Sequence, residues 1–112
     1  MLVFAASSVF AQASTMTKNR LYTIILDYKG GTYIGQNHAD SAKEALARWL
    51  SGIEDQELAR WKITRDELLE IVSSDGLVPL RDCTSVWCTS GSTKGGLALI
   101  NVIATDQSTD NR

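Results

Sequence analysis

The side chains able to carry chemistry are few. The sequence has a single histidine, His38, and two cysteines, Cys83 and Cys88. A histidine whose ordinary pKa lies near neutrality is the natural candidate for proton transfer, and Asp27 on a neighbouring strand could orient it. No Ser or Cys is tied to His38 by a spacing that marks a nucleophile and its base. The bland reading of His38 is a polar residue at a strand end. Cys83 and Cys88 have the spacing of half a zinc knuckle, but such a site needs four ligands and only His38 remains to add. A disulfide between them would suit a secreted chain. The simpler reading makes Cys88 a small hydrophobe on a half-buried strand. Gly91-Ser-Thr-Lys-Gly-Gly96 superficially resembles a phosphate loop, yet Lys94 precedes both glycines and a strand pattern follows, so a turn is the better reading. No cofactor and no metal is expected, and the absence of a catalytic constellation points away from an enzyme.

Charge offers the other signal. The 112 residues carry 11 Lys and Arg against 13 Asp and Glu, a net of −2. The segment 40–75 holds five basic and nine acidic residues, a local balance of −4. Its acids Glu44, Glu54, Asp55, Glu57, Asp66, Glu67 and Glu70 form a possible interaction surface for a basic protein partner. Some of them sit where a helix N-terminus favours a carboxylate. Tyr22, Tyr28, Tyr33 and Trp87 fall on predicted strands and could stack bases. The strand regions 21–39 and 76–105 hold Lys29, Arg81 and Lys94 against Asp27 and Asp82, too little positive charge for a nucleic-acid binder. A protein partner is therefore the expectation, and nucleic acid is not.

The elements that must position these residues follow from pattern. Residues 21–28 and 32–38 are rich in β-branched and aromatic residues and flank Lys29-Gly30-Gly31, which predicts a β-hairpin. Two registers are open: Gly30-Gly31 as the turn with Tyr28 opposite Tyr33, or Lys29-Gly30 with Ile25 opposite Ile34. Asp40 or Ser41 can cap a helix whose apolar stripe is Ala42, Ala45, Leu46, Trp49, Leu50 and Ile53. Asp55 can cap a short second helix over 56–61, with Leu58 and Trp61 inward. Thr64-Arg-Asp-Glu67 predicts a capping box opening a third helix, with Leu68, Ile71 and Val72 inward, Leu69 flanking them and Gly76 at its end. Leu77–Leu80 reads as an edge strand because of Pro79. Ser85–Thr89 reads as a strand, 90–96 as a turn, and Leu97–Thr105 as a central strand buried from both sides or nearly so. The order β-β-α-α-α-β-β-β predicts an α+β fold with one mostly antiparallel sheet and helices on one face.

Domain boundaries are expected at 21 and 105. Residues 1–20 read as a dispensable extension or a misassigned start with Met16 as the true one, as a signal peptide cleaved after Ala13, although it has no basic residue before Lys18, or as a structural arm. Residues 106–112 read as a polar tail. The apolar run from Leu2 to Phe10 is far below the ~20 residues that span a bilayer. A cytoplasmic location is expected, or a secreted or periplasmic one if residues 1–13 are a signal.

Tyr22-Thr-Ile-Ile-Leu-Asp-Tyr-Lys-Gly-Gly-Thr-Tyr-Ile, followed by Ala39-Asp-Ser-Ala-Lys-Glu-Ala-Leu, resembles small bacterial proteins of unknown function, as do Val86-Trp-Cys and the run Leu97–Thr105. Over residues 21–50 the glycine hairpin and the Glu-Ala-containing helix also look somewhat like the first half of HicB-type antitoxins. The proline-glycine segment that such antitoxins carry before the helix is missing. The resemblance implies an antitoxin-like or immunity-like binding role and transfers no site residue. The reading as a whole is a small non-catalytic domain that binds a protein, with a ligand-binding or enzymatic domain built on His38 and Asp27, or sheet-based RNA binding, as alternatives.

Overall fold

Alternation of side chains along a strand is the first pattern the molecule uses. In the computed structural model, which describes residues 19–105, β1 (Arg20–Tyr28) buries Tyr22, Ile24, Leu26 and Tyr28 and turns Leu21, Thr23, Ile25 and Asp27 the other way. β2 (Gly31–Ala39) completes the hairpin. Lys29 and Gly30 form its turn with φ of 51° and 79°, the two positive values that a tight primed turn requires. Of the two possible registers this selects Ile25 opposite Ile34, with Leu26 opposite Tyr33 and Tyr28 opposite Gly31.

α1 (Ala42–Gly52) starts at Ser41, whose Oγ accepts the Glu44 N–H at 3.1 Å, while Glu44 accepts the Asp40 N–H at 2.9 Å. Its stripe buries Ala42, Ala45, Leu46 and Leu50 and half-buries Trp49, and Ile53 is buried just beyond its end. α2 (Asp55–Trp61) differs from expectation at its start. Asp55 is the first helical residue and not the cap; Glu54 holds the cap position without a side-chain bond. The Asp55 carboxylate instead meets Arg65 on the next helix at 3.1 Å. α3 (Arg65–Asp75) shows the expected capping box, with both arms at 3.0 Å between Thr64 and Glu67. Leu68 and Ile71 are buried, Leu69 is exposed, and Gly76 at φ 71° ends the helix.

β3 (Val78–Pro79) is a two-residue edge strand. β4 (Val86–Thr93) runs further than expected, and the turn that follows occupies Lys94 and Gly95. Gly91 belongs to the strand for a packing reason: a Cβ there would lie 2.8 Å from Ile71 Cγ1, so glycine admits α3 close to the sheet. Thr93 fastens the turn, accepting the Gly95 N–H at 3.0 Å and donating to the Gly96 carbonyl at 3.0 Å.

β5 (Gly96–Ala104) enters the middle of the sheet, whose order is β2-β1-β5-β4-β3 with every neighbour antiparallel. The chain is thus α+β, with three helices on one face of an open five-stranded sheet. Burial of β5 from both sides is not found. Ala98, Ile100 and Val102 are fully buried, but Leu97 is 64% exposed and Leu99 36%. The helices cover one face only, so an unbroken apolar run here means a central strand with one wet face. Among the described residues no helix is long and apolar enough to cross a membrane. The start-site, signal-peptide and tail expectations concern residues outside those described, except that β1 already begins at Arg20.

Candidate interaction surface

The helix-free face is built by every second residue of each strand. β2 contributes Thr32, Ile34, Gln36 and His38, and β1 contributes Leu21, Thr23, Ile25 and Asp27. β5 adds Leu97, Leu99, Asn101 and Ile103, and β4 adds Val86, Cys88, Ser90 and Ser92. The ladders align these residues in rows. One row runs Ile34, Ile25, Asn101, Cys88, Val78 across all five strands. The next on one side runs Gln36, Thr23, Ile103, Val86. Ile34 is 65% exposed and Val78 51%. The surface is therefore a belt of aliphatic side chains interleaved with Thr, Ser, Gln and Asn, and among the described residues it carries neither Lys nor Arg. Gln36 Nε2 donates to Thr23 Oγ1 at 2.8 Å and Thr23 meets Thr105 at 2.7 Å, so the polar groups are knitted to one another along the sheet.

Asp27 and His38 share this face but not a site. Asp27 stands opposite Thr32, whose hydroxyl donates to it at 2.8 Å, while His38 stands opposite Leu21. Six residues of strand separate the two rows, roughly 20 Å at ~3.3 Å per residue. The structure does not bring them together as an acid–base pair. The four strand aromatics lie on the other side of the sheet. Tyr22 and Tyr28 are buried, Trp87 packs on Tyr22 with centroids 6.2 Å apart, and Tyr33 stacks on Trp61 at 4.4 Å. A platform for stacking bases on the helix-free face would need them outside.

The acidic residues of the helical segment are dispersed and mostly engaged. Glu44 pairs with Arg48 at 3.0 Å, Glu57 with Arg60 at 3.2 Å and Asp55 with Arg65 at 3.1 Å. Glu54 accepts from Gln56 at 3.1 Å. Two carboxyls are held below the ordinary glutamate range. In Glu44 the cause is first the Asp40 backbone N–H and then Arg48; in Glu67 it is the Thr64 N–H and then the Lys94 N–H. Asp66 and Glu70 are exposed on α3. The charge of −4 is thus spread around helix termini, one i,i+4 pair, one i,i+3 pair and the Asp55–Arg65 contact between helices, where it stabilises local structure.

Cys83 and Cys88 are free thiols, the first exposed and the second half-buried in the row with Asn101 and Val78. Among the described residues no group of three or more His, Cys, Asp or Glu side chains could hold a metal. Ile34, Val78, Leu97 and Leu99 were not legible as surface residues, since their apolar type argued for the core. The available signal was that 21–28 reads as a strand with apolar residues at both parities, Ile24 and Leu26 on one and Leu21 and Ile25 on the other, which leaves a second face to be accounted for. A comparable hint was Gly35: its missing side chain makes room for the Trp49 indole, which would meet a Cβ at 2.7 Å. No family model, curated protein or solved structure matches the chain.

Proposed function

We propose that the domain is a non-catalytic interaction module that binds a protein partner through the helix-free face of its sheet. The observation that carries this reading is the uncovered aliphatic belt from Ile34 to Val78, exposed on a domain small enough to need its apolar groups inside. Two features agree with it. Among the described residues the face bears a single carboxylate, Asp27, and neither Lys nor Arg, which suits an apolar protein surface better than a phosphate backbone. The edge strand β2 is nine residues long and free of Pro and Lys, so a partner strand could extend the sheet there. An antitoxin-like or immunity-like role would be one form of such binding.

The test is site-specific photo-crosslinking in the producing cells. A crosslinker replaces Ser92 on the helix-free face or Ala47 on the exposed side of α1. A discrete conjugate from position 92, missing from position 47 and lost in the Ile34→Glu/Leu97→Glu double variant, is the expected result. Because both side chains are about two-thirds exposed, that variant should keep its fold. Equal conjugates from both positions, or none from position 92, would overturn the reading.

A further inference from the structure

On the helix-covered side of the sheet, the end of α1, the short helix α2 and the edge strand β2 frame a cleft of about 420 Å³. That volume lies within the ~300–1,000 Å³ of small-molecule sites. Two indoles give it an apolar wall. Trp49 of α1 and Trp61 of α2 have ring planes within 15° of parallel and centroids 6.3 Å apart. Tyr33 stacks on Trp61 at 4.4 Å and holds it in place. Gly35 has no side chain to push Trp49 aside, since a Cβ there would lie 2.7 Å from the indole.

Asn37 provides an independent pointer. Its Nδ2 donates to the Ala45 carbonyl at 3.1 Å. A carbonyl only accepts, so this bond fixes which end of the amide is nitrogen. The other end is left over. Asn37 Oδ1 is the one buried side-chain polar atom without a partner among the described residues. An unpaired buried acceptor is uncommon and costly, and Asn37 lines the cleft. The missing partner is a hydrogen-bond donor.

The rest of the wall narrows the class of donor. Arg48 shares it with Glu54 and Glu57. Each of the three is already engaged: Arg48 with Glu44 at 3.0 Å, Glu57 with Arg60 at 3.2 Å and Glu54 with Gln56 at 3.1 Å. An anion would meet two carboxylates, and an organic cation would meet a guanidinium. The backbone of Gln36 is at the cleft as well. The Leu21 carbonyl, opposite His38, accepts the Thr105 N–H and so points away from β2. By the alternation of an antiparallel ladder, Thr23 and its partner Gln36 also turn their backbone groups away from each other, which leaves those of Gln36 at the free edge of the sheet. Donors and acceptors therefore stand side by side next to flat apolar rings. A hydroxyl both donates and accepts, and a pyranose adds a face of C–H groups that lies flat on an indole.

We propose that this cleft binds an uncharged saccharide. The C–H face of one pyranose ring lies on the Trp49 and Trp61 indoles. One hydroxyl donates to Asn37 Oδ1, and others bond to the Gln36 backbone and to Glu57. The cleft is on the other side of the sheet from the aliphatic belt, so it stands or falls separately from the protein binding proposed above.

The experiment is a ¹H–¹⁵N NMR titration of the full chain with cellobiose, maltose and N,N′-diacetylchitobiose, with sorbitol as an acyclic control that has hydroxyls but no flat face. At least one disaccharide should give saturable shifts at the Trp49 and Trp61 indole N–H groups and at the Gln36, Gly52 and Glu54 amides, and sorbitol should give none. Raising NaCl from about 50 to 500 mM should leave the Kd unchanged, because an uncharged ligand has no screened attraction to lose. Asn37→Leu should raise the Kd by about 2–10-fold, the worth of one hydrogen bond. Trp61→Phe keeps a ring on Tyr33 but narrows the platform, and should weaken binding too. The proposal is overturned if no disaccharide gives saturable shifts, if the shifts are confined to the helix-free face, if sorbitol binds as tightly, if the Kd rises with salt, or if both variants bind like the parent.

Discussion

Arg65 is the residue whose removal should reveal how the helices are joined. α1 has no basic residue in its last turn. The cation comes from the next long helix: Arg65 Nη1 donates to the Leu50 carbonyl, and Nη2 donates to the Ile53 carbonyl at 2.6 Å and to Asp55 at 3.1 Å. The guanidinium thus closes the end of α1 and fixes the path from α1 through α2 into α3. Its side chain is 32% exposed, whereas that of Asp55 is 97% exposed. Bonds from a charged donor are each worth about 1.5–3 kcal/mol when buried. Allowing for water reaching a one-third-exposed group, the two carbonyl bonds together should contribute about 2–3 kcal/mol. In Arg65→Met the stem still packs, but the carbonyls lose their donor. The thermal midpoint should fall by roughly 10–20 °C, at ~4–8 °C per kcal/mol for a domain of this size. Arg65→Lys should recover less than half of the loss, since an ammonium cannot fork between two carbonyls. Asp55→Asn should be close to wild type. Thermal melts followed by circular dichroism, paired with urea titrations, measure all three variants. An Asp55→Asn loss as large as that of Arg65→Met would make the ion pair the source of stability, and an Arg65→Met variant that melts like the parent would remove the carbonyl bonds from the account.

Three further outcomes are expected. Tyr28→Phe removes the bond to Thr93 and the longer one to the Lys62 carbonyl at 3.4 Å, and should cost about 1 kcal/mol in urea unfolding. A stability equal to the parent would show that water replaces both. Gly35→Ala forces a Cβ to 2.7 Å from the Trp49 ring, itself 6.3 Å from Trp61 and parallel to it within 15°; a loss of about 1–3 kcal/mol with a red-shifted tryptophan emission is expected. An unshifted spectrum would mean that the indole had not moved. For Glu44 and Glu67 the folded-state pKa is lowered below the ordinary 4.5, so their stabilisation is complete above that value and is lost as pH falls through the lower folded values. Glu67→Gln keeps an acceptor for the capping box and removes its titration, so stability should fall less steeply with acid than in the parent; identical acid limbs would remove Glu67 from the account.

Features confined to one turn of chain are legible in the residues themselves. Ser41 and Thr64 with a glutamate three residues on fix helix starts, because the side chain and the N–H it accepts lie within one turn. Lys29-Gly30-Gly31 fixes a hairpin, and the order of elements follows. Where two local solutions competed, sequence was silent: both turns were chemically acceptable, and the register with Lys29 at φ 51° was decided by the pairing of nine residues on each strand. Asp55 illustrates the same limit. Its position before an apolar run reads as a cap, but Arg65, ten residues away, takes the carboxylate. The apolar run marks β5 as central, but tertiary structure alone chose β1 as its second neighbour, since antiparallel pairing of strands some seventy to eighty residues apart leaves no local mark. The hairpin register put Asp27 and His38 at opposite ends of one face, and the packing of the helices on the other face covered the strand aromatics and left Ile34, Val78, Leu97 and Leu99 exposed. Three helices cover one face of five strands, and residue type cannot tell which apolar side chains that arithmetic leaves outside.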